Sequence, residues 1–146
     1  MQTHPGSLQA EGGCLCRAVR YRVTGAPLSS IICHCQSCRR ASAAPSVAWL
    51  TFEAASFEVL SGELRNFRSS PGVTRRFCAV CGSPITYEND RDTGSIDVTT
   101  ASLDDPNRFP PAREVWLEHK IAWEATNGTL DQFPRGGGGG AQGNQA

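Results

Sequence analysis

The sequence predicts a single all-β domain, a small zinc-bound fold of short antiparallel strands. Apolar and β-branched segments of about four to seven residues recur at roughly ten-residue spacing, and turn residues separate them. No segment carries the apolar period of a long helix. A length of 146 residues corresponds to one domain. Residues 1–9 are predicted to be a flexible N-terminus, residues 10–135 the domain, and residues 136–146 a disordered glycine-rich tail.

The elements follow from alternation and turn residues. The residues from Arg39 to Ser42 predict one helical turn, ended by Pro45. The turn of residues 61–63 predicts a hairpin between the strands on either side of it. The first ordered stretch is 10–16, and the predicted strands are 18–23, 29–33, 46–52, 57–60, 64–68, 73–77, 85–88, 96–100, 114–117 and 121–123.

Composition excludes several classes of function. The chain has 14 Lys plus Arg and 14 Asp plus Glu, so no basic footprint points to a nucleic-acid partner. It has no apolar run long enough for a membrane span and no signal peptide at its start, so we expect a cytoplasmic protein without a membrane partner. Seven cysteines is an odd number, and the cytosol keeps thiols reduced. Metal binding is therefore favoured over a disulfide framework.

The densest cysteine run contains Cys33, Cys35 and Cys38 within six residues. Thiolates this close repel one another unless a soft cation, usually zinc, lies between them. Three ligands leave one of the four positions of zinc open, as in a catalytic site. His4, His119 or another cysteine could instead close the site. His34 is not expected to be a ligand, because on an extended chain its side chain points away from those of its neighbours.

The other four cysteines form two half-sites, Cys14-x-Cys16 and Cys78-x2-Cys81. The two glycines before Cys14 permit a close backbone approach, and Gly82 can adopt the left-handed conformation that turns N–H groups toward sulfur. Together these four thiols could form a closed structural zinc site, and four plus three accounts for all seven cysteines. Spacing alone leaves another grouping open, in which the pair Cys33 and Cys35 joins the pair Cys78 and Cys81.

The cysteine motifs stand among other segments that are typical of one protein family. These segments are Gly13-Cys14-Leu15-Cys16, Cys33-His34-Cys35-x2-Cys38-Arg39-Arg40, Gly62-Glu63-Leu64, Arg76-Phe77-Cys78-x2-Cys81-Gly82, Leu103-Asp104-Asp105, Trp123 and Phe133-Pro134. In them the sequence resembles the glutathione-dependent formaldehyde-activating (GFA) family, which includes the centromere protein V relatives. The resemblance implies a tent-like all-β fold with two zinc ions, a structural one on Cys14, Cys16, Cys78 and Cys81 and a catalytic one on Cys33, Cys35 and Cys38.

The resemblance implies a carbon–sulfur lyase that acts on an adduct of glutathione, or a similar thiol, with a small aldehyde such as formaldehyde. A shell of three thiolates makes zinc a weak activator of water, so a hydrolase is the poorer hypothesis. The competing hypotheses are a non-catalytic zinc module that binds protein and a metal-free redox-sensing cluster. Arg39 and Arg40 are candidates to bind substrate carboxylates, and at least one of them is expected to be a solvated surface charge.

Other notable side chains have structural interpretations as well as functional ones. His34 is either a hydrogen-bond donor near the site or a structural histidine, and we favour the second. Tryptophans in strands are more often core than pocket wall. The paired acidic residues before Pro106 are expected to cap and turn the chain. The residues in question are Trp49, Trp116, Trp123, Asp104 and Asp105.

Overall fold

The structure, a computed structural model, describes residues 8–126 and 128–136 and confirms the all-β prediction. The described residues contain one α-helix, α1 (Gln36–Ser42). The strands are β1 (Gln9–Gly13), β2 (Arg20–Thr24), β3 (Ser29–Cys33), β4 (Val47–Glu53), β5 (Phe57–Ser61), β6 (Leu64–Ser70), β7 (Val73–Cys78), β8 (Pro84–Asn89), β9 (Asp92–Thr99), β10 (Arg113–Val115) and β11 (Asp131–Gln132).

The strands form two sheets. The larger sheet has the order β11-β10-β3-β4-β9-β8-β7-β6, and the smaller has the order β1-β2-β5. The pairings are antiparallel except for β10, which runs parallel to both β3 and β11. The predicted hairpin at residues 61–63 is wrong, because β5 pairs with β2 whereas β6 pairs with β7. The turn therefore passes the chain from one sheet to the other, with Gly62 at a φ of 82°.

The larger sheet separates two apolar clusters. Alternation along β4 places Leu50 and Phe52 in a cluster with Tyr21 of the smaller sheet. Trp49 belongs to the second cluster, together with Tyr87 and the three central cysteines. Cys14 and Cys78 belong to the first cluster, so the two groups of cysteines lie in different parts of the core.

Two element predictions need correction. Helix α1 begins at Gln36 rather than Arg39, because Cys35 caps it and its sulfur accepts the N–H of Cys38. The segment 121–123 is a turn and not a strand. The ammonium group of Lys120 donates to the carbonyls of Ile121 and Glu124, so it takes up acceptors that a strand partner would need.

None of the helices in the described residues combines the length and the apolar composition needed to cross a bilayer.

Candidate metal centres

The first centre brings together Cys14, Cys16, Cys78 and Cys81, whose sulfur atoms all lie within 4.8 Å of one another. The Sγ atoms of Cys14 and Cys16 are 3.5 Å apart, and those of Cys16 and Cys78 are 3.8 Å apart. Zinc with bonds of about 2.3 Å to four tetrahedral sulfurs would hold them about 3.8 Å apart. The spacing of these four sulfur atoms therefore fits a zinc ion.

The segment 78–82 supplies half of this centre from the end of β7. Gly82 has a φ of 79°, as the sequence predicted, and its N–H donates to the Cys78 carbonyl at 2.9 Å. The resulting turn directs the N–H groups of Val80 and Cys81 at Cys78 Sγ, at 3.3 and 3.4 Å. N–H groups aimed at sulfur stabilise the thiolate that a metal requires.

Ser83 supports the same half-site. Its Oγ accepts the N–H of Leu15 at 3.0 Å, which leaves its hydroxyl hydrogen for Cys81 Sγ at 3.2 Å. The hydrogen bond with Ser83 lowers the pKa of the Cys81 thiol to about 5. Ser83 thus links the loop that carries Cys14 and Cys16 to the turn that carries Cys81.

Cys14 and Cys16 lie in a turn rather than on an extended segment, contrary to the sequence-based prediction. The N–H of Arg17, whose φ is 68°, donates to the Cys14 carbonyl at 3.1 Å and closes the turn. The turn lets the N–H of Val19 reach Cys14 Sγ at 3.2 Å. The predicted close backbone approach is confirmed, since a Cβ added at Gly12 would lie 2.6 Å from the Ser102 carbonyl oxygen.

The second centre consists of Cys33, Cys35 and Cys38, whose sulfur atoms lie within 4.8 Å of one another and whose side chains are fully buried. Cys33 ends β3, Cys35 caps α1, and Cys38 lies in its first turn. The hydrogen bond with Cys33 lowers the pKa of the Cys35 thiol to about 3, and the hydrogen bond with Cys35 raises the pKa of Cys33 far above its usual range. Three thiolates at this distance therefore need a cation between them.

Arg75 on β7 is a component of this centre that the sequence analysis missed. Both terminal nitrogens of its guanidinium lie near Cys38 Sγ, at 3.8 and 3.7 Å. The side chain is buried and held by Ser69 Oγ at 3.1 Å and by the ring of Tyr87, whose centroid is 5.1 Å away. A buried positive charge is thus fixed against one of the three sulfurs.

The histidines do not join the three cysteines within the described residues. His34 is buried, and its Nε2 lies 3.0 Å from Glu114 Oε1 on β10, which agrees with its interpretation as a structural histidine. His119 Nδ1 accepts the N–H of Gln36 at 3.3 Å, and its ring packs on Trp116. His4 lies outside the described residues.

A cavity of about 520 Å³ reaches Cys38. Of the two arginines singled out by sequence, Arg40 lines this cavity, whereas Arg39 is not among its lining residues. Trp49 is both buried and part of the cavity wall. The cavity thus connects the three-cysteine centre with the protein surface near the end of α1.

The remaining candidates lie elsewhere. Trp116 is buried in the second apolar cluster, whereas Trp123 is 73% exposed and belongs neither to the described core nor to the cavity wall. Asp104 forms an ion pair with Arg20 at 2.6 Å, and its N–H donates to the Glu11 carbonyl. Asp105 precedes a short 3₁₀ helix without a side-chain cap, so the expected turn is present but the expected cap is not.

None of the seven cysteines forms a disulfide, and their grouping into four and three fits two zinc ions per chain. The alternative that pairs Cys33 and Cys35 with Cys78 and Cys81 does not match this grouping. We expect elemental analysis of protein purified without chelator to give about two zinc ions per chain. A value near one, together with three titratable thiols, would contradict the two-centre interpretation.

The described residues define an all-β protein with two cysteine clusters suited to zinc. The model of the family described as glutathione-dependent formaldehyde-activating enzyme matches residues 9–119, and the chain belongs to this family. A crystal structure of a Rhodobacter sphaeroides protein, a structural-genomics target, has a TM-score of 0.55 and 23% identity and covers 64% of this chain and 87% of its own. This likeness supports the fold alone. No curated protein matches the chain.

Proposed function

We propose that the protein is a zinc-dependent carbon–sulfur lyase of the cytoplasm. Its substrate is an adduct of glutathione, or a similar thiol, with a small aldehyde such as formaldehyde. The observation that carries the proposal is the difference between the two centres. Four cysteines complete one of them, whereas the other offers three, and its Cys38 lines a cavity large enough for a small-molecule ligand.

The donor set decides the kind of chemistry. Zinc on Cys33, Cys35 and Cys38 would have one free coordination position, where it would favour a soft sulfur ligand and hold it as thiolate. With three thiolates the centre carries a formal charge of −1, so its acidifying effect on water is smaller than that of a three-imidazole site. A thiol addition therefore suits this centre better than hydrolysis.

The side chains around Cys38 supply a positive charge and an apolar wall, and both favour such an addition. The Arg75 guanidinium lies 3.7 Å from Cys38 Sγ and provides a positive charge at the point where thiolate and aldehyde would meet. Trp49, which is 2% exposed, walls the same cavity and helps to exclude water. Water exclusion strengthens the interaction of Arg75 with negative charge.

The reaction balances without an oxidant or a reductant. In the direction of synthesis, the thiol loses its proton to solvent, and its sulfur gives an electron pair to the aldehyde carbon to form the C–S bond. The π pair of the carbonyl moves to oxygen, which then takes a proton from solvent. In the reverse direction the hydroxyl loses its proton to solvent, an oxygen electron pair re-forms the carbonyl π bond, and the C–S bond breaks with its electron pair returning to sulfur, which is then protonated by solvent. Arg75 is placed to stabilise the negative charge that develops on oxygen.

Exchange NMR with glutathione and formaldehyde tests this function. The protein as purified should accelerate exchange between free and S-hydroxymethylated glutathione, and Cys38→Ser should abolish the acceleration. If exchange with glutathione and with other thiols and aldehydes stays at the uncatalysed rate, the lyase proposal fails and the non-catalytic zinc module takes its place.

Replacing Arg75 tests the mechanism separately. We expect Arg75→Gln to lower the catalysed exchange rate by about 10²-fold, the effect of removing one preorganised donor to an oxyanion. The control is Arg68→Gln, since Arg68 is an exposed cation that pairs with Asp90 in the turn between β8 and β9. Equal rates for the two variants, with both folded by circular dichroism, would refute the role of Arg75.

A further inference from the structure

We infer that the cavity over Cys38 selects a thiol with an apolar body and one carboxylate in preference to glutathione. The inference rests on the proposed function, because the thiol would reach the three-cysteine centre through this cavity. A volume of about 520 Å³ accommodates glutathione and much smaller thiols alike. Size therefore does not decide between substrates, and the chemistry of the wall does.

Aromatic and aliphatic side chains form much of that wall. Trp49, Phe67 and Phe77 lie in it together with Val47 and Pro84. Phe67 is 63% exposed, and the other apolar residues of the same wall make it part of an apolar patch rather than a single exposed ring. An apolar group in the cavity would bury this ring. The carbon skeleton of glutathione is largely amide and charged, so it would gain little from such a surface.

The charges of the wall point to a monoanion. Among the described residues that line the cavity, three are arginines and none is acidic. Arg75 lies against Cys38, where it would face the formal charge of −1 of a zinc ion held by three thiolates. Arg76 forms an ion pair with Glu88 at 3.4 Å. Arg40, in the last turn of α1, is left as the exposed cation of the wall. One carboxylate on the ligand would match it.

The amino group of glutathione finds no match in the same wall. Its ammonium would need a carboxylate partner, and within the part of the chain that the structure describes no Asp or Glu lines the cavity. Placing an ammonium group among arginines costs free energy, because like charges repel strongly in a partly desolvated site. A thiol without an amine avoids this cost. The substrate class that fits is an adduct of a small aldehyde with an aryl or alkyl sulfanylcarboxylate.

Isothermal titration of the protein as purified tests the inference with defined probes. The first probe is 2-benzyl-3-sulfanylpropanoate, which carries a thiol, a phenyl ring and one carboxylate. The comparison probes are glutathione and 2-amino-3-phenylpropane-1-thiol, in which an ammonium replaces the carboxylate. We expect the first to bind about tenfold more tightly than either, the effect of one charge-assisted contact. Equal or tighter binding of glutathione or of the amine would overturn the inference.

Two neighbouring arginines provide a matched pair of variants. Arg40→Gln should remove the advantage of the carboxylate probe over the amine, whereas Arg39→Gln should leave it unchanged, because Arg39 does not line the cavity. Phe67→Ala should weaken the phenyl-bearing probe about tenfold and glutathione much less. Equal effects of the two arginine variants, or equal losses for both thiols in Phe67→Ala, would refute the assigned contacts.

The selectivity and the lyase activity can fail independently. A sulfur-free probe, 3-phenylpropanoate, reports on the wall without a thiol at the metal, and it should bind more tightly than 3-phenylpropan-1-amine. If 3-phenylpropanoate binds more tightly than the amine but no thiol exchange is catalysed, the lyase proposal is rejected and the proposed selectivity of the cavity is kept. Catalysed exchange together with equal binding of these two probes would keep the lyase and reject the selectivity.

Discussion

Replacing Cys78 with serine is expected to unfold the domain. Cys78 is buried at the end of β7, and its sulfur lies 3.8 Å from that of Cys16 on the loop between β1 and β2. A structural zinc ion contributes about 10–16 kcal/mol of apparent binding free energy in small zinc domains. A natural domain has a total stability of only about 5–15 kcal/mol. Loss of one of the four ligands should therefore remove most of the folding free energy.

Cys38→Ser is the matched variant in the other centre. Cys38 is also fully buried, but its two partner cysteines are nearby in the sequence and tie together only β3 and α1. We expect this variant to keep its β-sheet circular dichroism and to lose the second zinc ion. Thermal melts of both variants under the same conditions provide the measurement. Equal losses of melting temperature would show that the roles of the two centres are not divided in this way.

Much of the strand pattern could be predicted from local sequence. Alternation of apolar and basic residues predicted β2, and the apolar pair Ile31 and Ile32 predicted β3. The pairing of strands was less accessible. The turn at Gly62 has hairpin residues, but the partner of β5 is the distant strand β2. The parallel pairing of β10 with β3 likewise depends on tertiary contacts, and the three residues of β10 alone do not predict it.

The cysteine groups were accessible from the sequence, because counting and spacing limited how the thiols could combine and the resemblance to the GFA family then favoured the grouping of four and three. The role of Arg75 could not be predicted from the sequence, since an arginine in a strand is ordinarily a surface charge. A signal was present in β7, where Val73 and Arg75 occupy successive inward positions and both are buried. A charged residue at an inward position of a half-buried strand indicates a partner charge in the core. Here that partner is the thiolate cluster across the sheet face.

Helix α1 was predicted too short for a related reason. Serine, threonine, aspartate and asparagine are the usual residues that begin a helix. Here the sulfur of Cys35 performs that role by accepting the Cys38 N–H at 3.2 Å. A thiolate accepts an N–H more strongly than a thiol does, and the protonation state of Cys35 depends on the assembled centre. The start of the helix and the metal centre therefore depend on each other.

We expect the second centre to bind an external thiol at its open coordination position. Replacing zinc with cobalt makes each centre visible, because sulfur-to-cobalt charge-transfer bands grow with the number of bound thiolates. With cobalt in both centres, an external thiol bound at the three-cysteine centre should raise the total intensity of these bands by roughly one seventh, as seven bound sulfurs become eight. Glutathione and 2-benzyl-3-sulfanylpropanoate should both produce the gain at saturation. S-methylglutathione, which has no free thiol, should not.

The variants assign that response to one centre. Cys38→Ser should abolish the gain, because two remaining cysteines no longer hold the ion in the cavity. His119→Ala should preserve it, since His119 Nδ1 already accepts the Gln36 N–H. A spectrum indifferent to every thiol would mean that the chain itself fills the fourth position. If His119→Ala or His4→Ala then created a response to thiol, that histidine would be the ligand, and the second centre would be a closed structural site with no place for substrate sulfur.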